Sequence, residues 1–402
     1  MNLSSYMYRK LIQRAWLVVL NSTTTLLTPF GNMLISVLLL RYKPADFYGE
    51  LAFILITFDF FFNIISWGDT GYLFRDFSLR PARIKTVWQE AFFSRSPLLL
   101  PLLVLVFFSH YSIQIKFCFC VWILTRYIYR SFDAVFQYNR DFKMQLFVEL
   151  TSFVIILTPI IIYLQELTFT TLILIYTLSY VLKSTLALLF YKKNFISVPS
   201  KFISINYFVA AFPFLMISFS GMLESKADLY SVAWFLKKEE LAQYQIFSGF
   251  LSFSQLGASL LLAPFGKNLF RLPLKTFKKL ELLFAKSGIL FSFVFISIIF
   301  IIIQFIYKIN IPAIMYVTGY FFMLPSFLYL PSLFACSKQN KQSTIVFITL
   351  IGSVINISLG FILTPVFMKE GALISGTLTQ WAILALFLVL RDKRLNFFGI
   401  KW

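Results

Sequence analysis

Long apolar runs separated by short polar knots set the pattern of this chain. A window of about 20 residues, the length a helix needs to cross a bilayer, marks about twelve spans. They lie near 15–40, 47–68, 87–109, 113–136, 143–164, 168–191, 204–224, 242–264, 284–307, 312–335, 343–366 and 371–391. Their length and unbroken apolarity predict helices rather than barrel strands, which would alternate over about 10 residues. The connections are short, so neighbouring helices run antiparallel and no separate soluble domain fits between them.

Composition agrees with the pattern. The 402 residues are 59% hydrophobic, 19% aromatic and only 13% charged, with a mean hydropathy of +0.80. A soluble domain carries roughly 45–50% apolar and about 25% charged residues. The expected class is an all-α integral membrane protein. Arg9, Lys10 and Arg14 precede an apolar run that continues to about Leu40. That run is too long for a cleaved signal, so it reads as the first span with the amino end in the cytoplasm.

Charge refines the topology. With twelve spans, Lys and Arg favour the side of the N-terminus by about three to one, as the positive-inside rule requires. That side holds Arg75, Arg80, Arg83 and Lys85, then Arg126, Arg130, Arg140 and Lys143, then Lys192, Lys193 and Lys201. It continues with Lys267, Arg271, Lys275, Lys278 and Lys279, with Lys338 and Lys341, and with Arg391, Lys393, Arg394 and Lys401. Both termini are thus expected in the cytoplasm. The net charge of +19 then reflects loops facing anionic lipid head groups, with no need for nucleic acid. Cys118, Cys120 and Cys336 fall in or beside apolar segments and read as small hydrophobes, and nothing near them completes a metal site. His110, the only histidine, reads as interfacial. Trp67, Trp88, Trp122, Trp234 and Trp381 fall near span ends, as interfacial belts do, and the 51 phenylalanines read as lipid-facing bulk.

Two polar knots resemble each other. SFDAVFQYNRD from Ser131 and SLFACSKQNKQ from Ser332 align without gaps, matching Ala134 with Ala335, Asn139 with Asn340 and Arg140 with Lys341. Each closes one span and opens another that ends near a Thr-Pro pair, Thr158-Pro159 and Thr364-Pro365. Six spans followed by six similar ones suggest a transporter built from two parallel repeats, with an N-terminal lobe over 1–200 and a C-terminal lobe over 201–402.

The stretch SLFACSKQNKQSTIVFITLIGSVINISLGFILTPVFMKEGALISGTLTQ also resembles the polysaccharide flippases of the multidrug/oligosaccharidyl-lipid/polysaccharide exporter superfamily. Asn356, Pro365, Gly371 and Ala372 occupy that family's deep Asn, its helix-ending Pro and its Gly-Ala helix opening. FYGELAFILITFDFFFNIISWGDTGYLFRDF looks like the same family's second span, with a Phe-x-Gly entry, Gly68 and Gly71 at the exit and Arg75 beyond. Ala242 stands where the family usually has Gly, and Leu51 where an aromatic is more usual. The resemblance implies a MATE-like alternating-access fold of two six-helix lobes around a cavity. It implies transport of a polyprenyl-pyrophosphate-linked oligosaccharide from the cytoplasmic to the outer leaflet of a bacterial inner membrane, for surface polysaccharide synthesis. Other enzymes of the same glycan pathway are implied as partners, beside the membrane lipids; no cofactor and no catalytic nucleophile are needed.

Such a task calls for cationic groups in a wet cavity. Ionisable residues inside spans are costly and usually face a bundle interior. Arg95, followed by Pro97 and Pro101, and Lys183 near the middle of span 6 are the candidate cavity cations for the diphosphate. Arg95 leads, because a guanidinium matches phosphate oxygens in a bidentate way. Asp59 in span 2, Glu149 at the opening of span 5, and Glu224 and Asp228 at the end of span 7 are candidates for ion coupling or counter-charge. The plainer alternatives are that Lys183 and Lys286 snorkel to head groups and that Asp59 pairs structurally with a neighbouring helix. Two rival functions stay open. An ion-coupled multidrug exporter of this fold should concentrate buried carboxylates in one lobe. A glycan polymerase would need catalytic acids, for which the outward loop SKADLYSVAWFLKKEE offers Asp228, Glu239 and Glu240.

Overall fold

The computed structural model describes residues 3–195, 203–262, 274–339 and 341–390. Lys201, Lys267, Arg271, Asn340 and the basic tail from Arg391 lie outside the described residues. The elements are α1 (Leu3–Tyr42), α2 (Ala45–Ser66), α3 (Asp69–Leu79), α4 (Ile84–Arg95), α5 (Leu99–Phe108), α6 (Ile113–Arg130), α7 (Asp133–Asn139), α8 (Phe142–Ile162), α9 (Phe169–Phe195), α10 (Ile205–Phe235), α11 (Lys238–Leu262), α12 (Leu274–Ile301), α13 (Ala313–Lys338) and α14 (Gln342–Leu390). There is no strand among the described residues. Over its described residues, each of the twelve sequence-predicted spans falls mainly on helix. Nine helical stretches among the described residues are long and apolar enough to cross a membrane, the last holding two helices across a kink. The chain is a multi-pass, all-α membrane protein.

Side chains such as Phe107, Phe108, Leu189 and Val209, and Leu290, Phe293 and Val366 farther along, are well exposed. In water such an exterior would aggregate, whereas in hydrocarbon it is solvated. Phenylalanine also fills the interior: Phe62, Phe77, Phe132, Phe136, Phe247, Phe327 and Phe387 are fully buried. Trp88 and Trp122 are buried as well and do not form an interfacial belt. Trp88 stacks between Phe92 and Phe132 and donates its indole N–H to the Ser131 carbonyl at 2.7 Å. Proximity to a span end in sequence does not say which face of the helix a ring occupies.

Two compact units emerge, one of Met1–Lys43 with Thr57–Ser218, the other of Pro44–Ile56 with Phe219–Trp402. In the first, α6 packs on α9, and α8 packs on α1 and α9. In the second, α13 packs on α11, α12 and α14.

Helix breaks give the first unit its polar geometry. Pro97 has no N–H to continue the ladder, so α4 ends at Arg95 and a short 3₁₀ turn, Ser96–Leu98, leads into α5. The Phe93 carbonyl, which Pro97 cannot serve, accepts from Ser96 Oγ at 2.9 Å. Between α2 and α3 the chain turns through Trp67 (φ 46°) and Gly68 (φ 69°). A Cβ on Gly68 would lie 2.3 Å from the Leu215 backbone nitrogen on α10. Glycine is needed there for both conformation and room.

Two expectations need correction. The polar stretch read as an outward loop is helical: α10 continues to Phe235 and α11 starts at Lys238. Its polar residues mislead because they recur on a helix whose intervening Ala227, Leu229 and Val232 are buried. The two knots also differ in form. The first has its own short helix, α7, closed by Arg140 at φ 59°, while the second is the last turns of α13. Both close with a bond spanning five residues, Asp141 N–H to the Phe136 carbonyl and Lys341 N–H to the Cys336 carbonyl, each at 3.0 Å, as in a Schellman turn. The turns thus correspond one residue away from the gapless alignment. Lys341 is buried rather than presented to head groups.

Gly68→Ala should lower stability by about 2–4 kcal/mol, from a left-handed conformation and overpacking together. Gly221→Ala, where a Cβ meets nothing within 4 Å, should be neutral. Thermal melts of the two detergent-solubilised variants check this.

Candidate functional site

Three ion pairs with buried bases occupy the first unit. Arg95, on the last turn of α4, sits 2.8 Å from Asp69 Oδ2 with both side chains 3% exposed. Its Nε donates to the Ala91 carbonyl at 3.0 Å, and its guanidinium reaches the Ser66 carbonyl at 3.4 Å. It therefore fastens α4 to the α2–α3 break. Lys183 on α9 donates to Glu149 Oε2 on α8 at 2.8 Å. Glu149 also accepts from the Tyr129 hydroxyl at 2.7 Å and from Thr28 Oγ1 at 3.2 Å. Asp59 on α2 pairs with Arg126 on α6. The Tyr180 ring lies 5.7 Å from the Arg126 guanidinium and 5.0 Å from the Lys183 ammonium, so one ring serves two cations.

Four of the sequence-predicted site residues, Arg95, Lys183, Asp59 and Glu149, thus take part in these pairs. Lys183 is buried and does not snorkel. Arg126, counted as a loop charge from the sequence, belongs to this interior, Arg130 is half-buried beside it, and Asp69 carried no signal of its own. The available signal was the spacing of Arg126 and Arg130 by one turn among Trp122, Tyr127 and Tyr129. A helix end that mixes arginines with aromatics is interior more readily than a loop.

Beside the α2–α3 break is a cavity of about 300 Å³ in the first unit, with Asn63, Ser66, Asp69, Thr70, Arg130 and Asp133 in its wall.

Carboxylates in the second unit are held differently. Glu224 and Asp228 lie inside α10 rather than at the end of a span. Glu224 Oε1 accepts from Gln380 Nε2 at 2.6 Å, and the Glu224 carbonyl accepts from Asn356 Nδ2 at 2.9 Å. Asp228 accepts from the buried Tyr244 hydroxyl. Ser375 Oγ donates to Asn356 Oδ1 at 3.1 Å. Ser220 with Thr349 and Ser231 with Thr364 extend this polar seam between α10 and α14 at 3.0 and 2.8 Å. Small residues keep the helices close: a Cβ on Gly360 would lie 3.2 Å from Ser231 Oγ.

Of the three acids offered as a catalytic set, Asp228 is buried against Tyr244, Glu239 is exposed, and Glu240 pairs with Lys369 at 2.9 Å, just past the kink at Met368. Among the described residues no group of three or more His, Cys, Asp and Glu is placed to hold a metal ion.

No protein-family model matches the chain, and no curated protein matches it by sequence. Solved structures do. The lipid II flippase MurJ, in an inward closed conformation, is similar with a TM-score of 0.69 at 14% identity, over 92% of this chain and 87% of that one. A point mutant of the Vibrio cholerae MATE transporter VcmN is similar with a TM-score of 0.51 at 12% identity, over 97% of this chain and 98% of that one. The protein has the MATE-like membrane transporter fold.

Glu149→Gln should destabilise the protein by about 3–5 kcal/mol, because it leaves the Lys183 charge buried without its partner. Adding Lys183→Met should recover most of that loss. Unfolding of both variants in mixed detergent checks the pair, and additive losses would refute it.

Proposed function

We propose that this protein is a flippase of the multidrug/oligosaccharidyl-lipid/polysaccharide exporter superfamily. It moves a polyprenyl-pyrophosphate-linked oligosaccharide from the cytoplasmic to the periplasmic leaflet of a bacterial inner membrane, with both termini in the cytoplasm. The product feeds surface polysaccharide synthesis (O-antigen, capsule or exopolysaccharide), beside the other enzymes of that pathway. The observation that carries the reading is the fold match along 92% of the chain to a structure named as a lipid II flippase. The buried charge of the first unit suits it, since a charged diphosphate crossing about 30 Å of hydrocarbon needs a polar route. In this reading the two lobes are 1–200 and 201–402, and Arg95 and Lys183 support the wall of that route by holding helices through Asp69 and Glu149.

One observation favours a second reading. Glu224 and Asp228 hydrogen-bond to neutral donors, Gln380 and Tyr244, and so can exchange a proton or cation without breaking an ion pair. Buried acids of that kind in one unit suit an ion-coupled exporter of cationic drugs. They equally suit ion coupling of a flippase.

Deletion of the gene in its native host, with lipid-linked glycans extracted and identified by mass spectrometry, separates the two. A complete repeat unit accumulating on the cytoplasmic leaflet, with loss of the matching surface polymer, is the expected result. Normal delivery to the outer leaflet together with drug hypersensitivity would assign the exporter instead.

A further inference from the structure

We infer that the groove between the end of α12 and the start of α13 binds a glycerophospholipid, with an acyl chain along the groove and the phosphate at Lys308. The groove lies within the second unit and encloses about 680 Å³, the size of a small-molecule site. Ile296, Phe300, Ile301, Pro312 and Val317 give it an apolar wall. Phe300 meets Tyr316 edge to face there, with 5.2 Å between ring centres. Gln304 and Asn310 line the end nearest the turn, and both are exposed. Ile296 lies eight residues before Gln304, about 12 Å along a helix. The space is therefore long, polar at the turn and apolar away from it. Ser297, in the apolar part, already donates to the Phe293 carbonyl at 2.9 Å.

The backbone opens this space and puts a charge at its mouth. α12 gives way to a π-helical turn, Ile302–Tyr307, a form found mostly at functional sites. The Ile303 carbonyl then accepts from the N–H of both Lys308 and Ile309. Lys308 stands at φ 56°, a conformation that glycine adopts freely and other side chains resist. It is also the only charged residue between Lys286 and Lys338. Glycine would serve the turn better but would carry no ammonium. Strain kept at such a point signals a use for the side chain.

The surroundings select the partner. Phe305, Ile306 and Ile314 beside the groove are exposed, so hydrocarbon is its neighbour. A free anion gains nothing from the apolar length, and a plain hydrocarbon leaves Lys308, Gln304 and Asn310 unanswered. A phospholipid meets both demands, because its phosphate accepts from the ammonium and from the amide N–H groups.

The test uses purified, delipidated full-length protein in detergent and no transport, so its failure says nothing against the flippase reading. Native mass spectrometry and thermal melts would follow titration with phosphatidylglycerol. We expect one saturable lipid adduct and a melting temperature that rises with occupancy. Lys308→Gly should weaken binding about tenfold or more, while the lipid-free variant, relieved of strain, melts no lower than the wild type. Ala313→Trp places a bulky ring on an exposed position of the wall and should abolish the adduct. Val209→Trp, on an exposed helix face of the first unit, should leave it unchanged. Equal affinity in the wild type, Lys308→Gly and Ala313→Trp would overturn the proposal and mark general annular lipid. So would equal binding of diacylglycerol, which lacks the phosphate, or a preference for polyprenyl phosphate over phosphatidylglycerol. A lipid-free dimer that Ala313→Trp dissociates would overturn it too, and would assign the groove to a second copy.

Discussion

A charge carried into hydrocarbon must be answered there, and the first unit is organised by that constraint. Leaving one charged side chain at the centre of a bilayer helix costs about 2.5–3.5 kcal/mol even on lenient scales. Arg95, Arg126 and Lys183 each meet a carboxylate. Every pair joins two elements: α4 to the start of α3, α6 to α2, and α9 to α8. Aromatic faces form the next layer, Tyr127 beside Arg95, Phe62 beside Arg126, and Tyr180 beside both Arg126 and Lys183. Position in the membrane and helix packing are therefore fixed by the same contacts.

The second unit adds many neutral partners to its ion pairs, Glu240 with Lys369 and Glu50 with Lys238. A seam of Ser, Thr, Asn and Gln joins α10 to α14, and glycines let the helices approach. Such contacts are individually modest, averaging well below 1 kcal/mol in measured membrane cycles, but they are many and local. The two units thus meet the same burden with ion pairs and neutral hydrogen bonds in different proportion.

Much of the architecture was legible in the residues. Twelve apolar runs map onto helix because hydrophobic length is the dominant signal in lipid. Pro97 marked a real break, and Arg95, Lys183, Asp59 and Glu149 stood out as charges inside spans. Pairing was not legible, because Asp59 and Arg126 are 67 residues apart and nothing local links them. Arg126 was misplaced because charge near a span end resembles a loop. Glu224 and Asp228 read as terminal for the same reason, a linear reading of polarity on a helix that keeps its polar side inward. The polar wall beside Gly68 draws on α2, α3, α6, α7 and α10, which share no sequence pattern.

The order of the charges along the chain has a consequence for biogenesis. In each of the three pairs the acid precedes its base: Asp59 before Arg126, Asp69 before Arg95, Glu149 before Lys183. A helix bearing an acid is made before the helix that carries its base. A carboxylate can cross that interval by taking up a proton, whereas an arginine cannot shed its charge. Each base is thus made after its counter-ion, so the acids of α2, α3 and α8 are already in the chain when α6, α4 and α9 follow.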